Sequence, residues 1–524
     1  MKLRTMVKIV VTSSVVLLCA GFALYSFFKL SAVEGRKDFN LYKLVPATAS
    51  AVVATDDVLG FVSEIDGLTC SKNHQYLHIS KLFSYLKQAL YTLAEDSPHG
   101  LSRQMNQMLI SFHEPDNERN QVLYCRLGIG DKELIDKFIQ KYVSSLYPPK
   151  KFSYKGEEIM IYPMSDGDFL SCYLTSDFMA LSFQKKLVED VIDIYKKGGS
   201  LADVPAFAAV RTPKKSMAVA TVYTRVEGMM GWTEFDMKMK DDFVYFTGIT
   251  RNADTCSNFI NLFYHQESVD GFPGEILPST AFYFSKQSIT DWVSLLSLGS
   301  MQETASAGRI VEMQERDRKL SRYLMENTGR DLVLCLFQRE DTLQDAAVVL
   351  SLSVLDVREA ERMLRSLVAT IPAEERGVAS RITSYQLDDK VFPIYRLPQT
   401  TLFAHLTGFV RPTPHLYAAF YRGRLLLALD EDSLSCYIRQ LEKGEVIEQT
   451  ITYRAGIENL SDSYHFMLMA DFDRLFRQAE KQVSFVPDFF LRNAAFFRDF
   501  ILFAQFTGAD GIVSSDFVLQ YKPK

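Results

Sequence analysis

The chain of 524 residues is poor in the side chains that mark common catalytic and metal centres: it has 8 histidines, 2 tryptophans and 7 cysteines, the last scattered singly from Cys19 to Cys436. No C-x-x-C pair occurs, so neither a zinc ribbon nor a thioredoxin-like redox site is offered. The absence of H-E-x-x-H, G-x-x-x-x-G-K-[ST] and G-x-S-x-G removes the zinc-protease, P-loop and nucleophile-elbow readings. A net charge of −6 gives no basic field to attract a phosphate backbone, and no RNP-like, zinc-finger or helix-turn-helix pattern is present. Nucleic acid is not an expected partner, and no metal or cofactor is expected. Several cysteines lie inside apolar runs such as "VLYCRL" and "LVLCLF", where a buried free thiol behaves as a small hydrophobe.

What the chain does have is apolar material, 47% of its residues, with 12% aromatic and 23% charged, the balance of a folding chain rather than a disordered one. Its length exceeds what one core usually supports, so two domains are expected. The opening "MKLRTMVK" carries Lys2, Arg4 and Lys8 without an acid, and the next charge is Lys29. The uncharged run Ile9 to Phe28 is long enough, at about 1.5 Å per residue, to cross a hydrocarbon core. Basic flanks stay inside. Residues 1–8 are therefore expected in the cytoplasm, 9–28 as a single anchor, 29–39 as a linker, and the rest in the periplasm of a bacterial inner membrane. A cleaved signal peptide ending near "GFA" is disfavoured because apolar residues continue as "LYSFF", and a lipoprotein site at Cys19 is disfavoured by Leu18.

After the anchor the chain repeats itself. "LVPATASAVVATDD", Leu44 to Asp57, is echoed by "ILPSTAFYFSKQS", Ile276 to Ser288, each with a proline ahead of a strand-like run. Strand, polar turn, strand and helix then follow in both halves. The pair Ser153-Tyr154 returns as Ser384-Tyr385, an offset of 231; the Lys-Gly helix stops at Gly198 and Gly444 are 246 apart; the closing strands are about 274 apart. The growing offset places insertions in the second copy near 398–417 and 475–498. The expected fold is α+β, as two tandem copies, 40–270 and 271–524, of a largely antiparallel sheet with helices on one face.

With the anchor in front, "LVPATASAVVATDD" and the helix-ending "GGSLADVPAFAAV" leading into "MAVATVYTR" resemble a bacterial family of membrane-anchored envelope proteins known only as a domain of unknown function. The resemblance implies an envelope location and supplies no catalytic residues.

Candidate chemistry is sparse. Gly128 and Gly130 in "LGIGDKELIDKF" suit a tight strand-to-helix turn, since the third glycine of a phosphate loop is missing. Asp430 and Asp432, like Asp471 and Asp473, have carboxylates at a spacing a cation would accept, but they stand where a helix cap or strand-end turn belongs. His74 and His78 lack a metal-site signature. Material found in one copy alone is not needed for the common fold, so the insertions carry the candidate binding residues: His405 and His415 in the first, and Phe489, Phe490, Arg492, Phe496 and Phe497 in the second. The preferred function is a non-enzymatic envelope protein that binds a protein partner or a hydrophobic or polymeric ligand. The alternative is a hydrolase drawing on His405, His415, Asp430 and Asp432.

Overall fold

Each apolar run that the sequence opens with a proline becomes a strand buried inside a sheet. In the computed structural model the described residues are 39–73, 82, 105–114, 119–128, 131–138, 148–164, 167–211, 218–225, 232–251, 266–290, 292, 310–339, 346–369, 381–398, 402–407, 415–482, 486, 490–491, 493–509 and 512–522. The expected anchor at 9–28, together with His74, His78, Phe489 and Arg492, lies outside them. Among the described residues no helix is long and apolar enough to cross a membrane. The architecture is α+β, mostly antiparallel sheet with helices between strands.

Two compact units are present, one formed from Met1–Ile65, Ser80–Lys214 and Ala218–Thr224, the other from Asp66–Ile79, Lys215–Met217 and Arg225–Lys524. In the first, β1 (Ala51–Thr55), β2 (Met108–Phe112), β3 (Gln121–Arg126), β4 (Lys150–Tyr154), β5 (Glu157–Pro163), β6 (Phe169–Leu174), β7 (Phe178–Ser182) and β8 (Ala220–Arg225) are all antiparallel. Their spatial order is β4-β5-β6-β7-β3-β2-β1-β8. Asp57 accepts from Gly60 N at 3.0 Å at the start of α1 (Val58–Gly67), so the acidic end of the first repeated phrase serves a helix terminus. Helix α2 (Asp131–Phe138) follows the Gly128 turn, where Asp131 Oδ2 accepts from Gly128 N at 2.6 Å. Helix α3 (Lys185–Lys197) buries Val188, Val191 and Ile192, three and four residues apart, and stops at Gly198, whose φ of 79° a side chain would strain. A short α4 (Pro205–Val210) has proline in its first turn.

The second unit holds β9 (Trp232–Lys240), β10 (Phe243–Arg251), a small ribbon of β11 (Val269–Asp270) with β19 (Ser463–Tyr464), and β12 (Ala281–Ser288), β13 (Thr328–Gln338), β14 (Ala346–Val354), β15 (Ile382–Leu387), β16 (Lys390–Pro398), β17 (His415–Tyr421), β18 (Arg424–Ala428), β20 (Phe466–Asp471), β21 (Phe500–Ala509) and β22 (Ile512–Tyr521). The order is β15-β16-β17-β18-β14-β13-β12-β20-β21-β22-β10-β9. Its helices are α5 (Ile310–Asn327), α6 (Val357–Ala369), α7 (Leu402–Thr407), α8 (Glu431–Glu442), α9 (Ile451–Ile457), α10 (Phe472–Gln482) and α11 (Ala494–Phe497). One continuous core joins Phe284, Val333, Cys335, Phe337 and Val349 of the sheet to Leu434, Tyr437, Ile438 and Leu441 of α8. Each such side chain stabilises the fold by about 1.5–3 kcal/mol on burial.

The first eight strands of the two orders coincide, β4 to β8 running in the same spatial sequence as β15 to β20. The prolines coincide too: Pro46 bridges Ser200 and Pro278 bridges Val446, while Leu201 N donates to Val45 O at 2.7 Å and Ile447 N to Leu277 O at 2.9 Å. Sequence offsets put the copy boundary at 270, whereas the compact units part at 224, because β9 and β10 pair into the second unit through β22. The phenylalanines between Phe485 and Phe503 recur at helical spacing, yet they do not form one helix: Phe496 and Phe497 sit in the four-residue α11 and Phe500 opens β21. Lys286, Gln287 and Ser288, which open the run "KQSITDWVSLLSL" whose apolar residues recur at helical spacing, continue β12 instead.

Candidate binding groove

The residues singled out in the insertions do not converge. His405 lies in α7; His415 opens β17, half-buried, with its Nε2 bonded to a guanidinium nitrogen of Arg396 on β16. Asp430 is the N-cap of α8: its carboxylate accepts from Ser433 N at 2.7 Å, Ser433 Oγ at 2.9 Å and Arg339 at 2.8 Å. Capping was expected two residues later, at Asp432, which is exposed within the helix. Asp471 ends β20, receives Lys522 Nζ at 2.8 Å, and stands at the head of α10 rather than in a turn. Phe490, Phe496 and Phe497 pack with Phe472 and Phe500, the Phe490–Phe497 and Phe472–Phe490 centroids both 4.9 Å apart. These rings fill a cluster within the second unit. The five described cysteines are free and buried.

A groove of about 720 Å³ opens instead at the C-terminal end of α8. It is lined by Glu275, Arg422, Leu441, Glu442, Gly444, Val446, Glu448, Gln449 and Arg454. Three local devices shape it. The β17–β18 hairpin turns through Arg422 and Gly423 with φ of 45° and 76°, the two-residue geometry that matches strand twist. Helix α8 ends at Gly444, φ 74°, with Glu445 N donating to Gln440 O at 3.0 Å. Gly274 lets the chain ahead of β12 approach Glu448 and Tyr453 closely, since a Cβ there would lie 2.9 Å from both Glu448 Cβ and Tyr453 Cε1.

Glu442 is the electrostatic centre of the lining. It receives Lys390 Nζ, accepts from the Tyr421 hydroxyl at 2.8 Å and lies 3.6 Å from Arg422. Those bonds, Lys390 first, hold its carboxyl below the usual range. With Arg422 and Arg454 gathered with Glu275, Glu442 and Glu448, the lining is of mixed charge and contains no serine, cysteine or histidine. It suits recognition of charged and amide groups. Sequence reading treated Glu442-Lys443-Gly444 only as a helix stop; the acidic residue beside the stop was the available signal.

Two buried polar networks were also unforeseen, and each belongs to one copy. In the second unit Lys286, Asp331, Ser351 and Arg424 share one sheet face: Arg424 lies 2.9 Å from Asp331 and donates to Ser351 Oγ at 2.6 Å, while Lys286 Nζ donates to the carbonyls of Asp270 at 2.9 Å and Gly271 at 2.8 Å. Burial lowers the Lys286 pKa; burial alone would raise that of Asp331, but Arg424, Ser353 and Lys286 together more than offset it. Matching register pairs put Ala54, Gln107, Tyr124 and Phe178 at these places in the first copy. The first copy has instead Ser111 Oγ 2.8 Å from His113 Nε2 and 3.2 Å from the Tyr124 hydroxyl. A lysine inside the run "AFYFSKQS" was the one visible clue.

The described residues form a mostly antiparallel α+β protein with a mixed-charge groove at the C-terminal end of α8. Over residues 100–238, from ahead of β2 into β9, the chain matches the model of a family described as "Protein of unknown function (DUF3352)", as the expected resemblance to a domain of unknown function required. That match carries no information on a membrane anchor. No curated protein and no solved structure matches the chain.

Proposed function

We propose that the protein is a membrane-anchored, non-enzymatic envelope protein that binds a protein partner through the groove beside α8. The carrying observation is the groove's lining, which gathers Arg422 and Arg454 with Glu275, Glu442 and Glu448 around about 720 Å³. Such a lining favours a peptide segment over the hydrophobic ligand that was the other expectation, because apolar groups gain nothing from displacing water on paired charges. Anchorage rests on the uncharged run Ile9 to Phe28 behind Lys2, Arg4 and Lys8, which orients the folded part to the periplasm. Duplication fits a binding protein, since it leaves one copy free to diverge at its loops. A photo-crosslinking residue at Gln449 of the full-length protein in its membranes is expected to trap a discrete protein adduct, and Arg454→Glu is expected to weaken trapping about tenfold. The same residue placed at Asp432, exposed on α8 away from the groove lining, serves as control. Equal adducts from both positions, or none from Gln449, would remove the groove from consideration.

A further inference from the structure

His465, between β19 and β20, is 5% exposed, and both of its ring nitrogens are engaged. Nε2 lies 2.9 Å from the Gln266 carbonyl, which only accepts, and Nδ1 lies 3.2 Å from the backbone N of Gly508, which only donates. Together these partners select the neutral tautomer with its proton on Nε2. The backbone of the same residue is tied as well: His465 N donates to Phe506 O at 2.9 Å, and its carbonyl accepts from Ser288 N at 2.9 Å. Gln266 continues the chain of bonds, its Oε1 accepting from Thr290 N at 2.6 Å and Thr290 Oγ1 at 2.8 Å. The imidazole thus joins the Gln266 segment to the far end of β21, while the backbone of the same residue is tied to the end of β12.

The common fold does not need this ring. The register pairs Ala51–Thr224 and Tyr283–Ala470 are equivalent between copies, and counting five residues back places Val219 where the second copy has His465. An ionisable group has replaced an apolar one at a buried joint. Around it, Glu267 and Arg330 pair with each other at 2.5 Å, Lys286 is held by the carbonyls of Asp270 and Gly271, Asp331 is held by Arg424, and Asp462 follows on the turn before β19. None of these charges contributes to the imidazole's shift: burial lowers its pKa, and the Gln266 carbonyl partly opposes that.

We propose that His465 is a proton-operated latch: a proton on Nδ1 sets one N–H against the Gly508 N–H, expels the ring, and frees the Gln266 segment and the Gly508 end of β21 together. The group gains its charge only by leaving, so opening is favoured as pH falls below the ordinary histidine range. The change is local because β13 and β14 share no bond with the ring.

Hydrogen exchange of the full-length protein, corrected for intrinsic rates, tests this at pH 7.5 and pH 5. Protection over 504–509 and 266–268 is expected to fall about tenfold at the lower pH while β13 and β14 keep theirs. His465→Val, the first-copy side chain, is expected to abolish that pH dependence; His465→Gln provides the same reading should the valine variant not fold. Unchanged protection in the parent protein, persistent pH dependence in either variant, or loss spread equally over β13 and β14 would each overturn the latch.

Discussion

At the residue scale, the informative side chains are the polar ones enclosed by strands. His113 is buried beside Ser111 and Tyr124, and burial pushes its pKa down to about 4, against a small upward pull from Asp190. The folded first unit therefore holds fewer protons than its unfolded chain between pH 6.5 and about 4. Stability is present in full above that window, falls as pH drops through it by about 3 kcal/mol, and is level below it. Phe337 stands at the matching position of the second copy, by the pairs Val52–Ser111 and Phe284–Cys335. The substitution His113→Phe is accordingly expected to flatten the pH dependence of hydrogen-exchange protection in β2 and β3, whereas a slope equal to the parent's would assign the effect elsewhere. Sequence could not expose this residue. "SFHEPDN" reads as a strand running out into a turn, whereas the ring is enclosed beside Ser111 and Tyr124 of the β2–β3 hairpin and near Asp190 of α3, which comes much later in the chain.

At the element scale, hairpins, helix stops and proline-led strands were legible because each is fixed by local chemistry: a proline's φ and a glycine's freedom at Gly198 and Gly444. Errors fell where tertiary pairing overrode the local pattern. Lys286 and Ser288 look solvent-facing in isolation, yet β13 and β20 pair on either side of β12 and draw them into the strand. The phenylalanine run has helical spacing, but β20 and β22 claim Phe500 for β21. Close approach of elements was equally invisible. Gly456 on α9 faces Phe503 of β21, and a Cβ there would lie 2.1 Å from the ring. Alanine would gain about 1 kcal/mol of helix propensity at an unconstrained site. Here Phe503 is fully buried and has no room to yield, so Gly456→Ala is expected to destabilise the second unit by about 1–3 kcal/mol in urea unfolding followed by Trp232 and Trp292 fluorescence. A stabilised variant would show that α9 can shift outward freely.

At the scale of the whole molecule, the repeat was readable from offsets, since insertion and register both leave traces in residue numbers. The division of the chain into cooperating units was not, because pairing between β10 and β22 over nine residue pairs leaves no local signature. A fragment of residues 271–524 removes β9 and β10 and exposes the β22 edge; residues 225–524 retain them. The shorter fragment is expected to self-associate in gel filtration and the longer to elute as a monomer, as unpaired strand edges template further pairing. Two monomeric fragments of equal stability would show that the boundary lies at the sequence repeat after all. The groove residues were hidden for a related reason: Glu275, Arg422 and Arg454 are far apart in sequence and meet only once α8 is docked.

The pairing of Phe243 with Gln520 has a further consequence in time. At ribosomal speeds of about 5–20 residues per second, β10 waits on the order of tens of seconds for β22 to be synthesised. Throughout that interval a nine-residue strand rich in Phe, Val and Tyr has only one neighbour. The nascent chain thus carries an open strand edge until β22 emerges, and a chain interrupted ahead of Ile512 would keep that edge open permanently.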